Sequence, residues 1–146
     1  MAKYQTKCFN NQKPLALPTE AYPELSAVDV EFNTANYAPG DLIEICTIPA
    51  GYKCLDFAVI FPDIDTGNVL AFSIGVENAL GTDLGTEVWQ TGVLAGGVNT
   101  ITRNTTSICA QGVTNTDRQI LLKVTTAATG YVGAGKIGQV LLTLQG

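Results

Sequence analysis

From residue 27 to the C-terminus, short apolar runs are cut by Pro, Gly, Asp and Asn at intervals of about 8–12 residues. That cadence constrains the fold more than any other feature of the chain. Ala27-Val28-Asp29-Val30-Glu31-Phe32 alternates strictly, with Val28, Val30 and Phe32 on one face and Asp29 and Glu31 on the other. Further β-like runs cover residues 42–48, 53–61, 69–76, 99–103, 107–109, 119–125 and 135–144, separated by turns such as Pro39-Gly40-Asp41, Pro49-Ala50-Gly51 and Asp65-Thr66-Gly67-Asn68. Runs of this length leave no room for the helices of a βαβ fold. The sequence therefore predicts an all-β antiparallel sandwich over residues 27–146, with about eight strands, a number that suits a jelly roll better than an immunoglobulin-like sandwich. The last run is the most apolar and is expected to be central. Alternation selects Val28, Val30, Phe32, Ile43, Ile45, Phe57, Val59, Phe72, Ile74, Ile120, Leu122, Val140 and Leu142 as the core. The stretch 77–97 is the least regular; it holds the single tryptophan, Trp89, and is read as containing one helical turn near residues 84–90.

Residues 1–26 have a different character. They carry Lys3, Lys7 and Lys13 ahead of any acid, with Pro14, Pro18 and Pro23, and no sustained apolar period. Proline removes backbone donors and holds its predecessor extended. The expectation is an extended N-terminal arm, not a strand of the core, that could be removed without unfolding the body. Tyr4, Phe9, Leu15, Leu17 and Tyr22 are more large apolar side chains than a solvated tail usually carries. They are read as anchors of an arm lying across a neighbouring subunit, with Lys3, Lys7 and Lys13 steering it.

Composition narrows the chemistry. The chain of 146 residues has no histidine, which removes Ser-His-Asp and Cys-His catalysis and the usual zinc hydrolases. Eight Lys and Arg against 13 Asp and Glu give a net charge of −5, the wrong sign for a nucleic-acid partner. Only 14% of residues are charged and 18 are threonine, so a polar, uncharged β surface is expected. No apolar run reaches membrane-spanning length, and the N-terminus lacks the continuous apolar stretch of a secretory signal, which points to cytoplasmic synthesis. The four cysteines, Cys8, Cys46, Cys54 and Cys109, are accordingly expected as reduced thiols, with Cys46 and Cys54 neighbours on adjoining strands. Asp63-Ile64-Asp65-Thr66-Gly67-Asn68 fails the EF-hand ligand pattern and reads as a hairpin turn. Gly92-Val93-Leu94-Ala95-Gly96-Gly97 lacks the lysine of a phosphate loop, and the acceptor-like Asn104-Thr105-Thr106 has no secretion signal to act with. Neither an active site nor a metal or cofactor site is predicted.

The order of features resembles a known family. Ile48-Pro49-Ala50-Gly51 closes one strand, and Leu55-Asp56-Phe57-Ala58-Val59-Ile60-Phe61 leads into Asp63-Ile64-Asp65-Thr66-Gly67. A strand ending Ser73-Ile74-Gly75-Val76-Glu77 follows, then Arg118-Gln119-Ile120-Leu121-Leu122-Lys123-Val124 and a terminal apolar strand. Over residues 40–146 this is similar to the small head decoration, or cement, proteins of tailed bacteriophages. The resemblance implies a jelly-roll body bound to the outside of the virion, contacting the major capsid protein and associating with itself, as a trimer ahead of a dimer. It implies no enzyme activity, no cofactor, no nucleic-acid or membrane partner, and production in the bacterial host cytoplasm. The alternative is a carbohydrate- or surface-binding module of a phage tail or fibre, with Trp89 and Tyr52 or Tyr131 as a sugar platform.

Overall fold

The computed structural model of the protein describes residues 1–10, 12, 14–18, 23–94, 100–103 and 114–146. Nine strands follow one another: β1 (Lys3–Gln5), β2 (Glu24–Glu31), β3 (Leu42–Ile48), β4 (Lys53–Phe61), β5 (Ala71–Glu77), β6 (Leu84–Leu94), β7 (Thr100–Arg103), β8 (Arg118–Thr126) and β9 (Ile137–Gln145). No helix occurs among the described residues. The strands form two sheets, β1-β3-β8-β5-β6 and β2-β9-β4-β7. Numbering β2 to β9 as strands one to eight, the sheets run 2-7-4-5 and 1-8-3-6, the strand order of a jelly roll. All neighbours are antiparallel except β1, which adds to the edge of β3 in parallel.

The core forms where the two inner faces meet. All thirteen residues chosen by alternation are buried there. The terminal run is central as expected, since β9 lies between β2 and β4 and presents Gly138, Val140, Leu142 and Leu144 inwards. Phe32, Phe61 and Phe72 meet edge to face, with centroids 5.3 and 5.4 Å apart, which is the favoured packing of aromatic quadrupoles.

Three expectations need correction. The N-terminal segment, read as an extended arm and not a strand, contributes strand β1. Lys3, Tyr4 and Gln5 pair with Leu42, Ile43 and Glu44, Thr6 donates its hydroxyl to the Ile45 carbonyl, and Cys8 joins the core. The stretch read as irregular with a helical turn at 84–90 is strand β6. Its pairing with β5 is broken by three register shifts, which hide the strand periodicity. Cys46 and Cys54 do not sit on adjoining strands either, because β3 and β4 belong to opposite sheets. The run expected at 107–109 lies outside the described residues, as does Cys109.

The two sheets are finished differently on their outer sides. On the five-stranded sheet, Leu42 and Leu121 point away from the core yet are fully buried. The connection from β5 to β6 returns over this side, where Asp83 takes an ion pair from Lys123 at 2.7 Å and Gly81 lies beside Glu77 and the Lys3 ammonium. On the four-stranded sheet, Leu25, Ile101 and Ile137 are 60%, 63% and 58% exposed.

Candidate functional site

The sequence predicts no active site, so the candidate site is a surface, which the sequence placed on the N-terminal segment. Most of that segment's side chains serve the body. Lys3 bridges Glu44 at 3.0 Å and Glu77 at 2.7 Å, and the hydrogen bond to Glu77 raises its pKa against the opposing effect of burial. Tyr4 packs edge-on against Tyr37 with centroids 5.1 Å apart, and Tyr37 in turn meets Tyr131 at 5.8 Å. Burial raises the pKa of both Tyr37 and Tyr131, and the Tyr131 hydroxyl donates to the Asn33 carbonyl at 2.6 Å. Leu15 and Leu17 are half-buried against the core, with the Ala16 amide donating to Ser26 Oγ at 3.2 Å.

The outward-facing residues of the segment are fewer. Lys7 is exposed and pairs with Glu31 at 3.4 Å across a groove of about 260 Å³ between residues 5–12 and β2. Phe9 is half-buried within a turn over residues 7–10, its amide donating to Thr6 Oγ1 at 3.2 Å. Lys13 and Tyr22 lie outside the described residues.

The thiols are structural in their environment. Cys8, Cys46 and Cys54 are buried and none is in a disulfide. A hydrogen bond with Cys8, then burial, drives the Cys46 pKa far up, and burial pushes Cys54 up to about 12. Such thiols carry almost no thiolate at neutral pH and are poor nucleophiles.

The sugar-platform reading loses its tryptophan. Trp89 is 1% exposed, stacked on Phe57 with centroids 5.6 Å apart, and donates its indole N–H to Glu87 Oε1 at 3.2 Å. The same carboxylate oxygen accepts from Arg118 Nη1 at 3.1 Å, while Arg118 Nη2 donates to the Tyr52 carbonyl at 3.0 Å. Arg118 therefore locks the start of β8 to β6 and to the turn before β4, a role no local sequence signal announces. Tyr52 and Tyr131 both pack against the core.

The acidic turn is also accounted for. Asp65 is fully buried, and its carboxylate accepts the amides of Gly67, Val69, Leu70 and Gly130 at 2.8–3.0 Å. Those four donors occupy it as an anchor of the turn. Among the described residues, no group of three or more His, Cys, Asp and Glu side chains converges as a metal site.

No protein-family model matches the chain, and no curated protein matches it. Among solved structures, a chain of the Ralstonia phage GP4 capsid superposes with a TM-score of 0.81 at 22% identity, covering 99% of this chain and 97% of that one. A looser likeness, TM-score 0.49 at 19% identity, joins 92% of this chain to 94% of one in the cyanophage Pam1 capsid asymmetric unit. At that identity the first match establishes a shared fold over nearly the whole chain.

Proposed function

We propose that the protein is a non-enzymatic structural component of a phage virion that binds the outer surface of the capsid and stabilises it as a cement protein. The observation that carries this reading is the end-to-end fold likeness to a chain of the Ralstonia phage GP4 capsid. It is supported by a chain without histidine and by polar clusters, at Arg118 and Asp65, whose hydrogen bonds are spent on holding the fold. The partners are the major capsid protein and further copies of this chain; the protein is made in the host cytoplasm and resides on the virion exterior. Of the N-terminal residues, Lys7, Phe9, Lys13 and Tyr22 are assigned to the shell contact, whereas Lys3, Tyr4, Leu15 and Leu17 fix the segment to its own body.

Such a protein acts by mass action. Each copy that binds only the intact shell stabilises it by about 2.7 kcal/mol when its free concentration is a hundred times Kd. Co-sedimentation of the purified protein with empty shells assembled from the major capsid protein tests the reading. Binding, together with a higher rupture temperature of the decorated shells, is the expected result. A protein that stays in the supernatant and leaves shell rupture unchanged would overturn it.

A further inference from the structure

We infer that the outer face of the four-stranded sheet is a two-fold interface between copies of this chain, with β2 of one copy lying over β7 of the other. This does not depend on capsid binding. Among the described residues this sheet leaves Leu25, Ile101 and Ile137 exposed on its outer face, whereas the opposite sheet is capped by the connection from β5 to β6. Its register places Ala27, Leu141, Ala58 and Arg103 in one row across the face, and Asp29, Gln139, Ile60 and Ile101 in the next. The middle of these two rows is therefore uncharged, with Leu141, Ala58 and Ile60 at its centre. The charges at the two margins are opposite in sign, Asp29 and Glu31 on β2 (Glu31 also paired with Lys7) against Arg103 on β7. A third carboxylate, Asp56 on β4, stands beside Thr143 and would face the partner's uncharged Thr143 where β4 lies over the partner's β9.

That arrangement is complementary to itself in one orientation. A two-fold axis parallel to the strands lays β2 over the partner's β7 and β9 over the partner's β4. Leu141 then meets the partner's Ala58, Gln139 the partner's Ile60, and each Arg103 falls about one row, ~7 Å, from the partner's Asp29, within reach of a guanidinium. A two-fold axis across the strands instead brings β2 onto β2 and β7 onto β7, gathering like charges. Both axes leave the strands of the two sheets aligned, as face-to-face sheets commonly are, so the charges choose the first orientation. It favours a dimer, where the resemblance read from the sequence favoured a trimer.

The contact is small. Four strands about 4.8 Å apart and some six residues long present roughly 400 Å² per copy, about half a standard interface. Association in solution should therefore be weak, with Kd in the range of about 10–100 µM, strengthening where copies are held side by side.

Sedimentation equilibrium of the full chain, from about 1 to 300 µM, reads this out. The weight-average mass should climb from monomer towards dimer. Ile101→Glu, an exposed position, should raise Kd at least about tenfold while leaving the melting temperature unchanged. Arg103→Glu should weaken the dimer similarly, and adding Asp29→Arg in the same chain should restore it. A strict monomer at the highest concentration, a trimer, a dimer indifferent to Ile101→Glu, or a charge swap that fails to rescue would each overturn the assignment. Shell co-sedimentation of the Ile101→Glu protein separates the two proposals, because loss of the dimer with retained shell binding condemns neither, and loss of shell binding by a wild-type dimer condemns only the cement function.

Discussion

At the scale of residues, Asp65 shows how a polar side chain can hold a loop-rich end of a sandwich together. Burial alone would push its carboxyl up, yet the amides of Val69, Gly130, Leu70 and Gly67 outweigh this and hold it at about 2, below the ordinary 3.8. Because the folded pKa is depressed, the bonus to stability is complete above pH 4 and is lost as pH falls through 2. The shift corresponds to about 2 kcal/mol. Asp65→Asn presents an amide N–H₂ to some of those donors and should cost roughly 2–4 kcal/mol at neutral pH. Urea titrations at stepped pH should show the wild type losing its advantage over the variant between about pH 4 and pH 2; a gap that stays constant would mean the carboxylate is not the anchor. The sequence showed Asp65 in a hairpin turn; it does anchor a turn, but one that crosses from β4 to β5 in the opposite sheet. Its long-range bond to the Gly130 amide at 2.8 Å was invisible, because no local pattern announces a partner contributed by the loop between β8 and β9.

Among the elements, the two missed by periodicity are the two whose pairing owes least to their own sequence. β1 is three residues long and becomes a strand only because β3 offers it an edge, with Leu42 donating its amide to the Ala2 carbonyl and Thr6 donating to Glu44. Prolines at 14, 18 and 23 did mark an extended path, but the packing of Leu15 and Leu17 depends on a core built by later strands. Deleting residues 1–10 removes Tyr4 and Cys8 from the body and bares the edge of β3. The body should still fold but melt at least about 8 °C lower, taking ~4 °C per kcal/mol for a chain of this size. A shift of only a degree or two in calorimetry would restore the detached arm. β6 was hidden for the opposite reason, since its strand is long but bulged. At Gly75, opposite the bulge, a Cβ would stand 2.5 Å from the Glu87 carbonyl oxygen and 2.9 Å from Val88 Cα. Those are backbone atoms that cannot swing aside. Gly75→Ala should therefore cost about 1–3 kcal/mol, and a denaturation midpoint equal to the wild type would show that β6 is free to yield.

For the molecule as a whole, the jelly roll was readable because alternation fixes the inner face, and the inner face builds the core. The docking surface was harder to read. Leu25, Ile101 and Ile137 occupy strand positions whose parity points away from the core, and that mismatch was the available signal; the aromatic residues of the N-terminal segment drew attention instead because they are large. Chain order carries a further consequence. β9 comes last in order among the described strands, yet it is interior to its sheet, pairing with β2 along all eight residues and with β4 on its other side. Among the described residues β2 has no other strand partner. Without residues 137–146 the core loses Val140, Leu142 and Leu144, each fully buried and worth about 1.5–3 kcal/mol, and the inward side of β2 loses its backing. That loss is comparable to the whole stability of a domain, about 5–15 kcal/mol. A chain ending at residue 136 should therefore give no cooperative thermal transition and should be digested rapidly by protease, in contrast to the chain lacking β1, which should melt cooperatively at a lower temperature. Folding would then wait until β9 has left the ribosome. A truncated chain that still melts cooperatively would mean that β4 and β7, with the five-stranded sheet, close a core without the central strand.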